Sequence, residues 1–223
     1  MTHHVHPYAH RIGIIRGWKS RWFAGKGAYR DMVRADGLIR EFLYKRLRGH
    51  YVAGIDIERG RKATKVIIAS SRPGMIIGRQ GETANKLRKD LTRFLKRNEV
   101  SVPDDFKIDI VGVDSPDSNA AIVAASIIEA LERRMPFRRV MKQTIEKVMA
   151  VRGVKGARIV LAGRLGGAEM SRREEVKRGA IPLQFIRADI DYHNDIARLS
   201  YGVIGVKVWI YKGDSLAKES NHD

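Results

Sequence analysis

The sequence has no cysteine among its 223 residues. That excludes disulfides, thiolate metal sites and cysteine nucleophiles together, and it fits a reducing compartment. The chain is also short of acid: 25 Asp and Glu stand against 43 Lys and Arg, a formal charge of +18. An excess of this size points to a polyanionic partner. Long apolar runs are missing too. The longest, around Ala120–Ala125, is too short to cross a bilayer, and the N-terminus lacks the apolar core of a signal peptide. No membrane partner is expected, and the cytosol is the expected location. Internal repeats and low-complexity tracts are absent as well.

What is present is a Gly-x-x-G loop, Gly78-Arg79-Gln80-Gly81, behind the aliphatic pair Ile76-Ile77. It follows a strand-like run, Lys65–Ala69, and opens a helix-like run from Glu82 to Lys96. In that context the glycines allow a sugar-phosphate backbone to approach closely, Arg79 supplies charge and Gln80 supplies hydrogen bonds. The loop predicts binding of single-stranded nucleic acid.

Around it the chain reads as two α+β domains flanked by tails. Residues 1–28 have no sustained apolar period and form a basic arm, in which Arg11, Arg16, Lys19, Arg21 and Lys26 carry charge and Trp18 and Trp22 offer faces for stacking or for packing. Residues 29–113 predict a helix from Tyr29 to Leu47, a hairpin of Val52–Ile57 and Thr64–Ser70, the loop with its helix, and a third strand at Lys107–Val111. Asp114-Ser115-Pro116-Asp117 carries the capping and N1-proline signals of a new helix, running to Arg134, and marks the start of a second domain, residues 114–212. There a second helix, Phe137 to Met149, precedes a strand-rich stretch: Ala157–Ala162, Gln184–Tyr192, Ile196–Tyr201 and Val206–Tyr211, with a basic helical segment at Arg172–Arg178. Residues 213–223 form a tail.

On the Phe137 helix, 100° steps place Phe137, Met141, Thr144, Ile145 and Val148 within an arc of roughly 100° that faces inward. Arg138, Arg139 and Lys142 occupy the far side, with Arg133 and Arg134 just before them, and Glu146 is the one acid placed to neutralise them locally. This patch predicts RNA contact. Gly163–Glu169 lacks the Gly-Lys-Ser/Thr ending of a P-loop, although Arg164 remains a candidate phosphate contact. Asp189, Asp191 and His193 alternate on one strand face, where a metal for phosphoryl chemistry competes with the plain polar face of a half-exposed sheet; without a further carboxylate the polar face is the better reading. His3, His4, His6 and His10 fit a frayed basic tail better than a metal site. No catalytic residue, metal or cofactor is expected, and the chain reads as a non-enzyme.

Several long stretches, in order, resemble one family. Arg11–Ile14 with Trp18–Trp22, Arg72–Gly81, Leu131–Arg134 followed by Phe137–Arg139, Gly163–Glu169, Arg187–Tyr192 and Tyr201–Ile210 are similar to successive signatures of bacterial small-subunit ribosomal protein three. The resemblance implies a type II KH domain followed by a C-terminal α+β domain with a mostly antiparallel sheet and two helices. It also implies small-subunit rRNA as partner, contacted through Arg11, Lys19, Arg21, Trp22 and Arg164. By the same resemblance Arg138, Arg139 and Lys142, with Arg133 and Arg134, line the channel by which mRNA enters, helping to open structured messenger, and head proteins ten and fourteen are neighbours.

Overall fold

The computed structural model describes residues 5–60, 63–98 and 105–215. The chain divides into a central unit, Trp18–Asp114, and a flanking unit that joins the residues up to Gly17 with those from Ser115 onward. The expected arm is therefore not one element, because its first part belongs with the C-terminal half and its second part with the central unit.

The central unit runs β1 (Ser20–Arg21), α1 (Lys26–Arg46), β2 (Val52–Arg59), β3 (Ala63–Ser70), α2 (Pro73–Ile77), α3 (Glu82–Arg97) and β4 (Asp105–Gly112). Its sheet has the order β1-β2-β3-β4, with β2 antiparallel to β3, and β1 and β4 parallel to their neighbours. Alternation dictates which face is buried: Thr64, Val66, Ile68 and Ser70 of β3 point inward while Lys65 stays in water. Onto that face α1 lays Ile39 and Leu43, and α3 lays Leu87, Leu91 and Leu95, an i, i+4, i+8 stripe. Each fully buried leucine contributes about 1.5–3 kcal/mol. Because β3 and β4 are parallel, the chain must cross over between them, and α2, the Gly-x-x-G loop and α3 are that crossover. The short helix α2 has no counterpart in the sequence reading; proline at its first turn starts it and Gly78 stops it after five residues. Arg61 and Lys62 of the expected hairpin turn lie outside the described residues.

The flanking unit contains α4 (Ala120–Glu132), α5 (Phe137–Ala150), β5 (Gly156–Gly163), β6 (Arg172–Gly179), β7 (Ala188–Leu199) and β8 (Gly202–Asp214). Its sheet, in the order β6-β5-β8-β7, is antiparallel throughout. One face, through Ile159, Leu161, Val206 and Val208, packs on both helices; the other, through Val160, Ile190 and Trp209, packs beneath Ile181 and Leu183. The fold is the α+β class expected, with three local corrections. Arg172–Arg178 is strand, not helix, because pairing with β5 along its whole length outweighs its charged composition. The two strands expected at Gln184–Tyr192 and Ile196–Tyr201 are one, β7, paired continuously with β8 through Asn194 and Asp195. Helix α4 is capped by Asn119, whose Oδ1 accepts from the amides of Ala121 and Ile122, and Pro116–Ser118 forms a separate 3-10 turn before it.

Candidate RNA interface

The loop takes its shape from two positive-φ glycines with a third residue strained between them. Gly78 lies at φ 73, Gly81 at φ 77, and Gln80, which has a side chain, at φ 52. Holding a non-glycine residue in the left-handed region has a cost, and such residues cluster at ligand clamps. Gly78 is required twice over: besides its φ, a Cβ there would collide with the side chain of Thr83. Ile76 is buried and anchors the loop from below, while Arg79 and Gln80 are exposed at its tip. Replacing Gly78 by alanine is expected to destabilise the central unit by about 1–3 kcal/mol and to weaken single-stranded RNA binding; a denaturant melt with an RNA titration checks both, and an unchanged pair would show that the loop tolerates a side chain.

On α5 the inward face holds Val140, Met141, Ile145 and Val148 buried, with Phe137 and Thr144 half-buried. Val140, which the helical projection left out, joins the core. Arg138, Arg139 and Lys142 are exposed on the opposite side, and Arg133 and Arg134 are exposed in the turn between the two helices. Their electrostatic states differ. Arg138 meets Glu174 at 3.4 Å and Arg133 pairs with Glu129. Arg139, Lys142 and Arg134 have no carboxylate partner among the described residues. Glu146, placed by sequence as the local neutralising acid, pairs instead with Arg178 of β6 at 3.8 Å.

The residues expected to touch rRNA separate into two groups. Lys19 and Arg21 are exposed, and Arg21 meets Glu58 at 3.6 Å. Trp22 is half-buried and donates its indole N–H to Asp36 at 2.8 Å, so its ring is part of the central unit's packing. Arg11 is overturned as an RNA contact. It is fully buried, and its guanidinium donates to the carbonyls of Ala188 (2.6 Å), Pro7 (2.7 Å), Phe185 (2.8 Å) and Leu183 (3.1 Å). With those donors engaged and no exposed surface, it has nothing to offer a phosphate. Arg164 behaves similarly: half-buried, it bonds the carbonyls of Ala168 and Tyr201 at 2.9 and 3.0 Å and staples its own loop.

Asp191 does not stand on a half-exposed polar face. Only 4% exposed, it accepts the amide of Ala120 at 2.8 Å and the hydroxyl of Tyr8, with Arg16 at 3.8 Å. A carboxylate at the first amide of α4 meets the positive end of that helix, which sequence spacing could not reveal across so many residues. Asp189 pairs with Arg16 at 2.8 Å. Burial, and then the charge of Asp191, push the Tyr8 hydroxyl far above its ordinary pKa, so it remains a donor. His6 packs edge-on against Tyr192 at 4.8 Å. His3 and His4 lie outside the described residues, and no cluster among the described residues could hold a metal ion.

A Gly-x-x-G crossover between the parallel strands β3 and β4 of a four-stranded sheet, followed along the chain by an exposed cationic helix, defines a KH-type RNA-binding protein. Comparison with known proteins is specific about which kind. Residues 38–117 match the KH domain family and residues 127–210 match "Ribosomal protein S3, C-terminal domain". The chain is 42% identical over 219 residues to small ribosomal subunit protein uS3 of Gluconobacter oxydans, covering 98% of this chain and 93% of that protein. It is 44% identical over 216 residues to uS3 of Syntrophobacter fumaroxidans, covering 97% and 100%, and 42% identical over 216 residues to uS3 of Clostridium botulinum, covering 97% and 95%. The chain belongs to the uS3 family of small-subunit ribosomal proteins. It is accordingly a non-enzymatic, structural constituent of the small subunit that binds ribosomal RNA, at work in the ribosome in the cytoplasm.

Proposed function

We propose that this protein lines the channel through which mRNA enters the small subunit and that the outward face of α5 helps to part messenger structure there. The observation that carries the reading is the pair Arg139 and Lys142, without a carboxylate partner among the described residues and held in fixed register by a helix whose opposite side is packed into the core. Arg138 stands beside them, its guanidinium 5.7 Å from the Phe137 ring, and Arg133 and Arg134 extend the patch toward α4. Cations held in fixed register on a rigid helix grip the phosphates of the entering strand, so a hairpin drawn against the helix must give up its paired strand in order to advance. Translocation supplies the work, and the helix biases its direction. In this reading the Gly78–Gly81 loop, Lys19 and Arg21 hold ribosomal RNA, and head proteins ten and fourteen flank the chain.

Replacing Arg138, Arg139 and Lys142 together by alanine should leave small-subunit assembly intact, because all three side chains are exposed, and should slow translation through a stable messenger hairpin several-fold while unstructured messenger is read at the normal rate. Equal rates on both messengers would remove the channel role.

A further inference from the structure

Helix α3 carries a second charged face that the Gly-x-x-G loop does not account for. Leu87, Leu91 and Leu95 are buried on one side. On the other, Asn85, Arg88, Lys89, Thr92, Arg93 and Lys96 line a shallow open groove along the helix. The cations recur at every turn, about 5.4 Å apart, over a length of about 12 Å. Lys89 and Arg93 stand four residues apart and Arg93 and Lys96 three apart, spacings at which like charges repel. Asp90 offers little relief, lying 3.7 Å from Arg46 and 3.9 Å from Arg93. Arg88, Lys89 and Lys96 have no carboxylate partner among the described residues. Like charges at these spacings leave a face that an external anion would relieve.

The same face indicates which anion. Phe94, the aromatic residue of α3, turns inward to stack on Phe42 at 5.0 Å, so the groove has no ring on which an unpaired base could stack. Asn85 adds a short hydrogen-bonding group beside the cations, which suits phosphate and sugar oxygens, whereas the Thr92 hydroxyl is turned back to the Arg88 carbonyl at 2.9 Å. We infer that the outer face of α3 is a second RNA-binding surface of the KH domain, taking the phosphate backbone of double-helical ribosomal RNA, while the Gly-x-x-G loop takes single strand. It is independent of the role proposed for α5.

The test uses the full chain, a short double-stranded RNA of arbitrary sequence, and a single-stranded RNA, each titrated over a series of salt concentrations. The triple variant K89Q/R93Q/K96Q is compared with R30Q/R34Q/K45Q, which removes the same charge from exposed positions of α1. At about 0.9 in log–log slope per phosphate neutralised, the α3 variant should lower the duplex salt slope by about 3, and the α1 variant by less than about 1. The loop variant R79D/Q80D should weaken single-strand binding and leave duplex binding in place. Equal slope losses for the two triple variants would overturn the inference by reducing it to net charge. Unchanged duplex binding by the α3 variant would overturn it in favour of an acidic protein surface as the occupant.

Discussion

Replacing Asp36 by alanine is expected to destabilise the central unit by about 3–5 kcal/mol, the cost of stripping one partner from a buried ion pair. Asp36 sits on α1 with 4% of its surface exposed. One carboxylate oxygen accepts Arg59 through Nε at 2.9 Å and Nη2 at 2.5 Å; the other accepts Ser20 Oγ and Trp22 Nε1, both at 2.8 Å. Four donors thus converge on one side chain, from β1, the segment after it, and β2. The Arg59 side chain is itself 9% exposed, so the alanine variant would leave a cation out of water with no counter-charge. Asp36→Asn keeps the volume but replaces one acceptor by a donor, and should fall between the two. Hydrogen exchange resolved to β2 and α1 is the measurement, since the flanking unit can unfold separately and blur a single melt. Wild-type protection in the alanine variant would show that Arg59 finds another partner.

Arg11→Met should lower the stability of the flanking unit by about 3 kcal/mol while leaving the salt slope of RNA binding unchanged. Methionine fills much of the same length, so the loss comes from the four carbonyls deprived of their donor rather than from a cavity. Limited proteolysis should then cut near Gly13, where the undocked segment has an exposed glycine at φ 81. The two readouts separate the possibilities: a slope reduced by about 1 with stability intact would restore Arg11 to the RNA contacts.

These two residues also show how far a sequence can be read. The central unit was legible because its signals are periodic: alternation in β3, a leucine stripe in α3, and a glycine loop between them. The cationic face of α5 was legible for the same reason, since a helix wheel fixes which residues share a side. Arg11 was not, because a basic residue in a polar arm carries no mark of whether its guanidinium faces water or carbonyls; the nearest hint is the apolar run Ile12, Ile14, Ile15 beside it. Asp191 was misread for a related reason: its partners, Tyr8 and the Ala120 amide, are far away in sequence, and no local pattern reports them. Strand β6 failed differently. Its charged sequence Arg172-Arg173-Glu174-Glu175 has weak strand preference of its own, and the ladder to β5 imposes the conformation.

Because Tyr8, Arg11 and Arg16 each depend on partners beyond Ser115, the flanking unit cannot be completed as its first residues leave the translating ribosome that makes it. At about 5–20 residues per second, the segment waits on the order of ten to thirty seconds for β7 to arrive, and the central unit can fold in the meantime. A hydrophobic plug exposed for that long would invite aggregation, whereas a segment whose anchors are guanidinium and phenol groups is tolerated by water. The polar docking of the first residues is therefore suited to vectorial synthesis as well as to the finished fold.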